Sequence, residues 1–220
     1  MTAPAAKTTK NDGPRQRDAA RTRKALIAAG TALFAERGYE GVPVAELADK
    51  AGVNKAMINY HFGGKRQLYV AIVGGVFTEI VAQVERLAAE DGPAPQLLRE
   101  VVAVVGDANR RNPHFCTMLL REVVAGGGQQ LESDLIQYPA RMLGAVQRIV
   151  ARGVSQGELR PVDPLLTHLS LIGSLVFFFA TQPFRDRILA QKRPAERPPD
   201  AAAYVTHIQE LLTHGLAAER

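Results

Sequence analysis

Positions 55 to 65 hold Lys55, Ala56, Asn59, Tyr60, His61 and Lys65, residues whose types and spacing suit contact with nucleic acid. At about 100° per residue, Lys55, Ala56, Asn59 and Tyr60 fall on one arc of a helix, opposite Ile58. Such an arc, presented to a major groove, can meet base edges. An Asn amide bonds N6 and N7 of adenine together, which makes Asn59 the candidate base reader. The competing reading is an Asn that caps a helix or bonds a phosphate. Lys65, four positions after His61, would clamp phosphate beside the groove.

Those side chains need two short helices and a tight turn to hold them. Val44, Leu47, Ala48 and Ala51 recur at helical spacing and form an apolar stripe. Gly52 can turn the chain with a positive φ, and Val53 can plug the corner. Asn54 is a good N-cap for a helix beginning at Lys55. Ile58 then points to the core and Phe62 closes the end. Ala48 is small, as the contact between two steeply crossing helices requires. Taken alone, this is also the pattern of an ordinary helical hairpin with a polar face. A preceding amphipathic helix over 18–37 changes the balance, with Ala25, Leu26, Ala29, Leu33 and Phe34 on one side, Gly38 ending it and Tyr39 behind. Three helices and an aromatic plug make a small core.

Ala29, Leu33, Phe34, Gly38, Tyr39, Val44, Leu47, Ala48, Ala51, Gly52, Val53, Ile58, Tyr60, His61, Phe62, Lys65 and Leu68 follow one another in order and without a gap. With these residues, the stretch 20–72 resembles the DNA-binding domain of the TetR family of transcriptional repressors. The resemblance implies a homodimer with one recognition helix per subunit, an all-helical C-terminal ligand domain, and phosphate contacts for His61 and Lys65. Two positions depart from the family pattern. Where a Ser or Thr hydroxyl usually caps the second helix, this chain has Val42 and Pro43, and proline has neither hydroxyl nor N–H to offer. Asn59 stands where an aromatic residue is common.

Charge agrees with the reading. Residues 1–66 hold 12 basic and 6 acidic residues, or +6, and residues 67–220 hold 15 and 16, or −1, which together make the +5 of the chain. Lys and Arg that neutralise phosphates supply sequence-independent affinity. Residues 1–17 contain no apolar run and read as a disordered basic arm, which could follow the DNA backbone or be plain solvated chain. No secretory apolar region is visible. His61 has no second His, Cys or carboxylate at ligand spacing, so no metal site is expected, and no cofactor.

The expected organisation is an arm over 1–17, a helix-turn-helix domain over 18–66 and a ligand-binding and dimerisation domain over 67–220. Punctuation by Gly and Pro divides the last part into helices over 65–89, 97–111, 115–124, 131–156, 164–181 and 201–218, with a Pro-rich charged linker over 191–200. No alternating run requires a sheet, so the fold class is all-α. A single cysteine, Cys116, excludes an internal disulfide and fits a reducing cytoplasm. No run of about 18 purely apolar residues predicts a membrane span.

The helix over 164–181 is apolar nearly all round and must be covered on all sides. Leu165, Leu169, Ile172 and Val176 make one stripe, and Ile208 and Leu212 lie on that of the final helix. The resemblance implies that these two helices pair with their copies in a four-helix bundle; ordinary core packing is the alternative. Phe115, Met118, Leu119, Tyr138, Met142, Phe177 and Phe178 are candidates to line an effector pocket, with Arg121, Glu122 and His168 as polar anchors. Each is also an ordinary core or ion-pair residue in type, and Cys116 reads more simply as a small hydrophobe than as a thiol sensor.

These features favour a DNA-binding regulator of a near-palindromic operator, released by a small-molecule effector. An enzyme built on Glu122 and His168 finds no nucleophile elbow, phosphate loop or metal spacing in support. A helical protein-binding adaptor would leave the basic N-terminal part without a role.

Overall fold

The computed structural model describes residues 14–125, 133–192 and 199–218. Within them lie α1 (Pro14–Arg37), α2 (Val44–Ala51), α3 (Ala56–Phe62), α4 (Lys65–Ala89), α5 (Ala94–Arg111), α6 (Phe115–Ala125), α7 (Ser133–Ser155), α8 (Pro164–Ala180), α9 (Gln182–Lys192) and α10 (Ala201–Leu216). The one non-helical pairing among the described residues is an antiparallel bridge between Leu159 and Ala217. The fold is all-α.

α1, α2 and α3 pack together and onto the start of α4. Leu26, Phe34, Leu47, Ile58 and Leu68 are fully buried here. The rings of Phe34, Tyr39 and Tyr69 pack around one another, with Phe34 and Tyr69 edge to face at 5.2 Å. α4 then continues into the C-terminal part, where Val81 and Val84 are buried and the helix packs on α5 and α7. By length and composition α4 could cross a membrane, but half of its apolar window is buried inside the fold. One rigid element thus belongs to both parts of the chain.

Three departures from the sequence expectations have local causes. α1 begins at Pro14, so 14–17 are helical rather than part of an arm; the remainder of that arm, 1–13, lies outside the described residues, as do 193–198 of the expected linker. α5 begins at Ala94 instead of Leu97, because the carboxylate of Glu158 accepts a hydrogen bond from the Ala94 N–H at 2.6 Å. α9 was not expected. It leaves α8 at 65° and is anchored by Arg185, whose guanidinium lies 3.8 Å from the Phe178 ring and donates to the Phe178 carbonyl at 2.7 Å.

α10 closes the bundle against α5. At Gly106 the approach is so close that a Cβ would sit 2.4 Å from Val205 Cγ2. Valine is β-branched and its χ1 is restricted, so it cannot swing clear. Gly106→Ala is therefore expected to destabilise the fold by about 1–3 kcal/mol through overpacking, read as a lower urea midpoint with unchanged slope.

Candidate functional site

The turn between α2 and α3 forms by local hydrogen bonds. Gly52 adopts φ 66°, ψ 34°, and the Val53 N–H reaches the Ala48 carbonyl at 3.0 Å. α3 begins at Ala56 with Lys55 at its N-cap, one residue later than expected, and Asn54 Oδ1 accepts from the Ala56 N–H at 2.8 Å, satisfying the first amide of the helix from just outside it. α2 begins after Pro43 with no side-chain cap; the Arg37–Glu46 ion pair instead ties its first turn to the end of α1. Gly63 and Gly64 both have positive φ, at 82° and 139°, and turn the chain sharply into α4. The second value belongs to a region open essentially to glycine alone.

α3 turns Ile58 inward, fully buried, while Lys55, Ala56, Asn59 and Tyr60 are exposed, Tyr60 by 77%. The structure thus brings these four residues onto one solvent-facing surface. His61 is half-buried between the rings of Tyr60 and Phe62, at 5.0 and 6.5 Å. Lys65 is less free than its spacing suggested. Its Nζ lies 4.3 Å from the Tyr39 ring centre, and burial lowers its pKa from the ordinary lysine value. Arg23, which the sequence reading passed over, stands 5.0 Å from the Phe62 ring and links α1 to the end of α3. Its register with Ile27 and Thr31, four and eight positions on, was the available signal.

The ten candidate effector residues are dispersed. Phe115 and Tyr138 flank Phe77, edge to face at 5.0 Å and stacked at 5.7 Å, and Met142 is buried on the same helix as Tyr138. Met118 is buried and Leu119 half-buried on α6. Arg121 is exposed, and the side chain of Glu122 lies outside the described residues. Phe178 is stacked on Tyr204 at 3.8 Å beneath Arg185. Phe177 is 66% exposed and, with Phe178, lines a surface cleft shared with Phe184, Arg185 and Ile188, away from the rings around Phe77.

His168 is half-buried and its Nδ1 has no hydrogen-bond partner. Burial lowers its pKa, so the folded state favours neutral imidazole. Protonation on acidification therefore works against folding. The His168 contribution is complete above the unfolded imidazole value, near 6.5, and declines as pH falls below it. His168→Gln is expected to flatten the acid limb of a plot of melting temperature against pH. Cys116 donates to Asn109 Oδ1 at 2.7 Å, and burial pushes its thiol up to about 12, a poor setting for a reactive thiolate.

α8 carries an apolar face that its own chain leaves open: Leu165, Leu166, Leu169 and Phe177 are 44%, 63%, 56% and 66% exposed. Gly173 lies mid-arc, and a Cβ there would meet nothing within 4 Å. On α10, Leu211 is 59% exposed. Ile208, expected at the subunit interface, is 6% exposed and packed within its own chain. The large apolar residue that α10 exposes is Leu211, three positions on. Leu212, Ile172 and Val176 are half-buried.

Two family models decide the assignment, one for each part of the chain. One, for the bacterial regulatory proteins of the tetR family, covers residues 26–72; the other, for the tetracyclin repressor-like C-terminal domain, covers residues 95–212. The chain belongs to the TetR family. As a TetR-family protein it is a DNA-binding, ligand-responsive transcriptional regulator. It is 29% identical over 173 residues to the HTH-type transcriptional repressor NicS of Pseudomonas putida, covering 78% of this chain and 81% of that one. It is 26% identical over 164 residues to the regulator RutR of Escherichia coli, covering 74% and 75%. Two solved structures share the fold. The TetR-family regulator PfmR of Thermus thermophilus superposes with TM-score 0.68 at 24% identity, covering 89% and 99%. FadR of Bacillus subtilis, in complex with stearoyl-CoA, gives 0.69 at 20% identity, covering 87% and 98%. Among the described residues of this TetR-family chain, no three His, Cys, Asp or Glu side chains are grouped to hold a metal ion.

Proposed function

We propose that the protein is a cytoplasmic, homodimeric repressor that holds a near-palindromic operator and leaves it when a small molecule binds the C-terminal part. The observation that carries this is the α3 surface: Lys55, Ala56, Asn59 and Tyr60 exposed together, on a helix pinned from below by Ile58. The excess positive charge of residues 1–66 supports it. We divide the chain into an arm within 1–17, a DNA-binding unit over 18–66 and a ligand and dimer unit over 67–220. Asn59 reads adenine; Lys55, Tyr60, His61 and Lys65 hold the backbone. Two α3 helices must match half-sites about 34–36 Å apart, and α4 carries any change of separation because both units pack on it. The effector meets the apolar side chains around Phe77, Phe115, Tyr138 and Met142. That FadR, of the same fold, is seen with stearoyl-CoA supports an effector with an apolar part.

The test is a mobility shift with the DNA flanking the coding region, at two salt concentrations and against unrelated competitor DNA. The expected result is a competitor-resistant shift that weakens with salt, as phosphate neutralisation requires. Asn59→Ala should lose about 1–3 kcal/mol of discrimination at one adenine. Equal weakening on every sequence would remove Asn59 from base reading, and no binding at low salt would remove the nucleic-acid function.

A further inference from the structure

We propose that the cleft where α1 meets α4 and α6 binds a small anionic amphiphile, at a site that adjoins the cluster around Tyr138 and Met142 through Phe115 and Phe77. The cleft encloses about 320 Å³, within the range of small-molecule pockets. Its walls are mostly apolar, with Ile27 from α1, Ile72 and Val76 from α4, and Phe115 and Met118 from α6, and Thr31 and Asn112 add two neutral polar groups. Two charged groups stand among the lining residues, Arg23 and Glu79. Glu79 is compensated by its ion pair with Arg111. Arg23 has no carboxylate partner among the described residues, and its guanidinium rests on the Phe62 ring. The cleft therefore offers one uncompensated cation beside an apolar floor. The complement is a molecule with one negative end and a short apolar body.

Gly75 gives a second, independent observation. It lines the cleft in the middle of α4, and a Cβ there would meet nothing within 4 Å. Glycine weakens a helix interior relative to alanine, and the chain's own packing does not require it here. Its effect is to leave the cleft unfilled. Arg23 also gives the site a route to α3. An anion that draws the guanidinium off Phe62 removes a contact holding α1 to the end of that helix. Ligand affinity then differs between the two arrangements, as any conformational shift demands. This coupling rests on the regulator reading above; the binding site does not.

Calorimetric titration of the full chain tests it, with sodium octanoate as probe and 1-octanol as its neutral counterpart. The expected result is one octanoate per chain, bound at least tenfold more tightly than octanol. Arg23→Gln should bring the two affinities together. Gly75→Met, which fills the cleft from a helix position free of clashes, should weaken both at least tenfold with helical circular dichroism unchanged. Absence of octanoate binding, parity with octanol in the wild type, or full binding by either variant would overturn the site. If octanoate binds in the expected pattern while no operator shift is found, the site stands and the coupling falls. If the operator shift is found without octanoate binding, the site alone falls.

Discussion

Leu169→Glu is expected to turn the protein into a folded monomer that no longer holds its operator. Leu169 lies on α8 between Leu165 and Leu166 on one side and Val176 and Phe177 on the other, and is 56% exposed within one chain. A glutamate there stays hydrated in the monomer, so monomer stability should change by no more than about 0.5 kcal/mol. In a twofold pair of α8 helices the same carboxylate meets an apolar surface and its own copy. Desolvating a charge costs several kcal/mol even after relaxation, and each 1.4 kcal/mol is a factor of about ten. The dimer dissociation constant should rise by roughly 10³ or more. Sedimentation velocity reads this directly, with operator affinity falling in parallel. If Leu169→Glu sediments like the wild type, the open face of α8 is not where the subunits meet.

Ile58→Ala should cost about 2–5 kcal/mol, against a total stability of about 5–15 kcal/mol for a typical protein. Ile58 is fully buried and is the one residue of α3 that is, so the helix has no other anchor of that kind. The loss should be local. Amide exchange in α2 and α3 should speed up strongly while α5, α7 and α8 keep their protection, because the C-terminal part has its own core of Val101, Val102, Ile149, Leu171 and Leu175. Operator affinity should fall for all sequences alike. Asn59→Ala, one residue on but facing solvent, should leave exchange unchanged and alter sequence preference instead. A variant of Ile58 that kept both exchange and affinity would show that α3 is held from elsewhere.

The DNA-binding half was legible because its determinants are local. Gly52, Asn54 and the alternation of Ile58 with its exposed neighbours each act within a turn or two of helix. Pro43 likewise announced a helix without a side-chain cap, and α2 has none. Where partners come from far along the chain, the reading failed. Glu158 sets the start of α5 from 64 positions away. Arg185 and Tyr204 sandwich Phe178, which gives α9 its anchor and no local signature.

Periodicity, turn residues and side-chain type are properties of neighbours, and they made the helical class, the family, the exposed arc of α3 and the division of charge readable from the chain alone. Which apolar residues stay open depends on packing between distant helices. Ile208 and Leu211 are equally apolar and three positions apart, yet one is sealed against its own chain and the other faces outward. Such packing also places Lys65 over Tyr39 and Arg23 over Phe62, because ring and cation are joined by the crossing of helices, which no stretch of sequence contains.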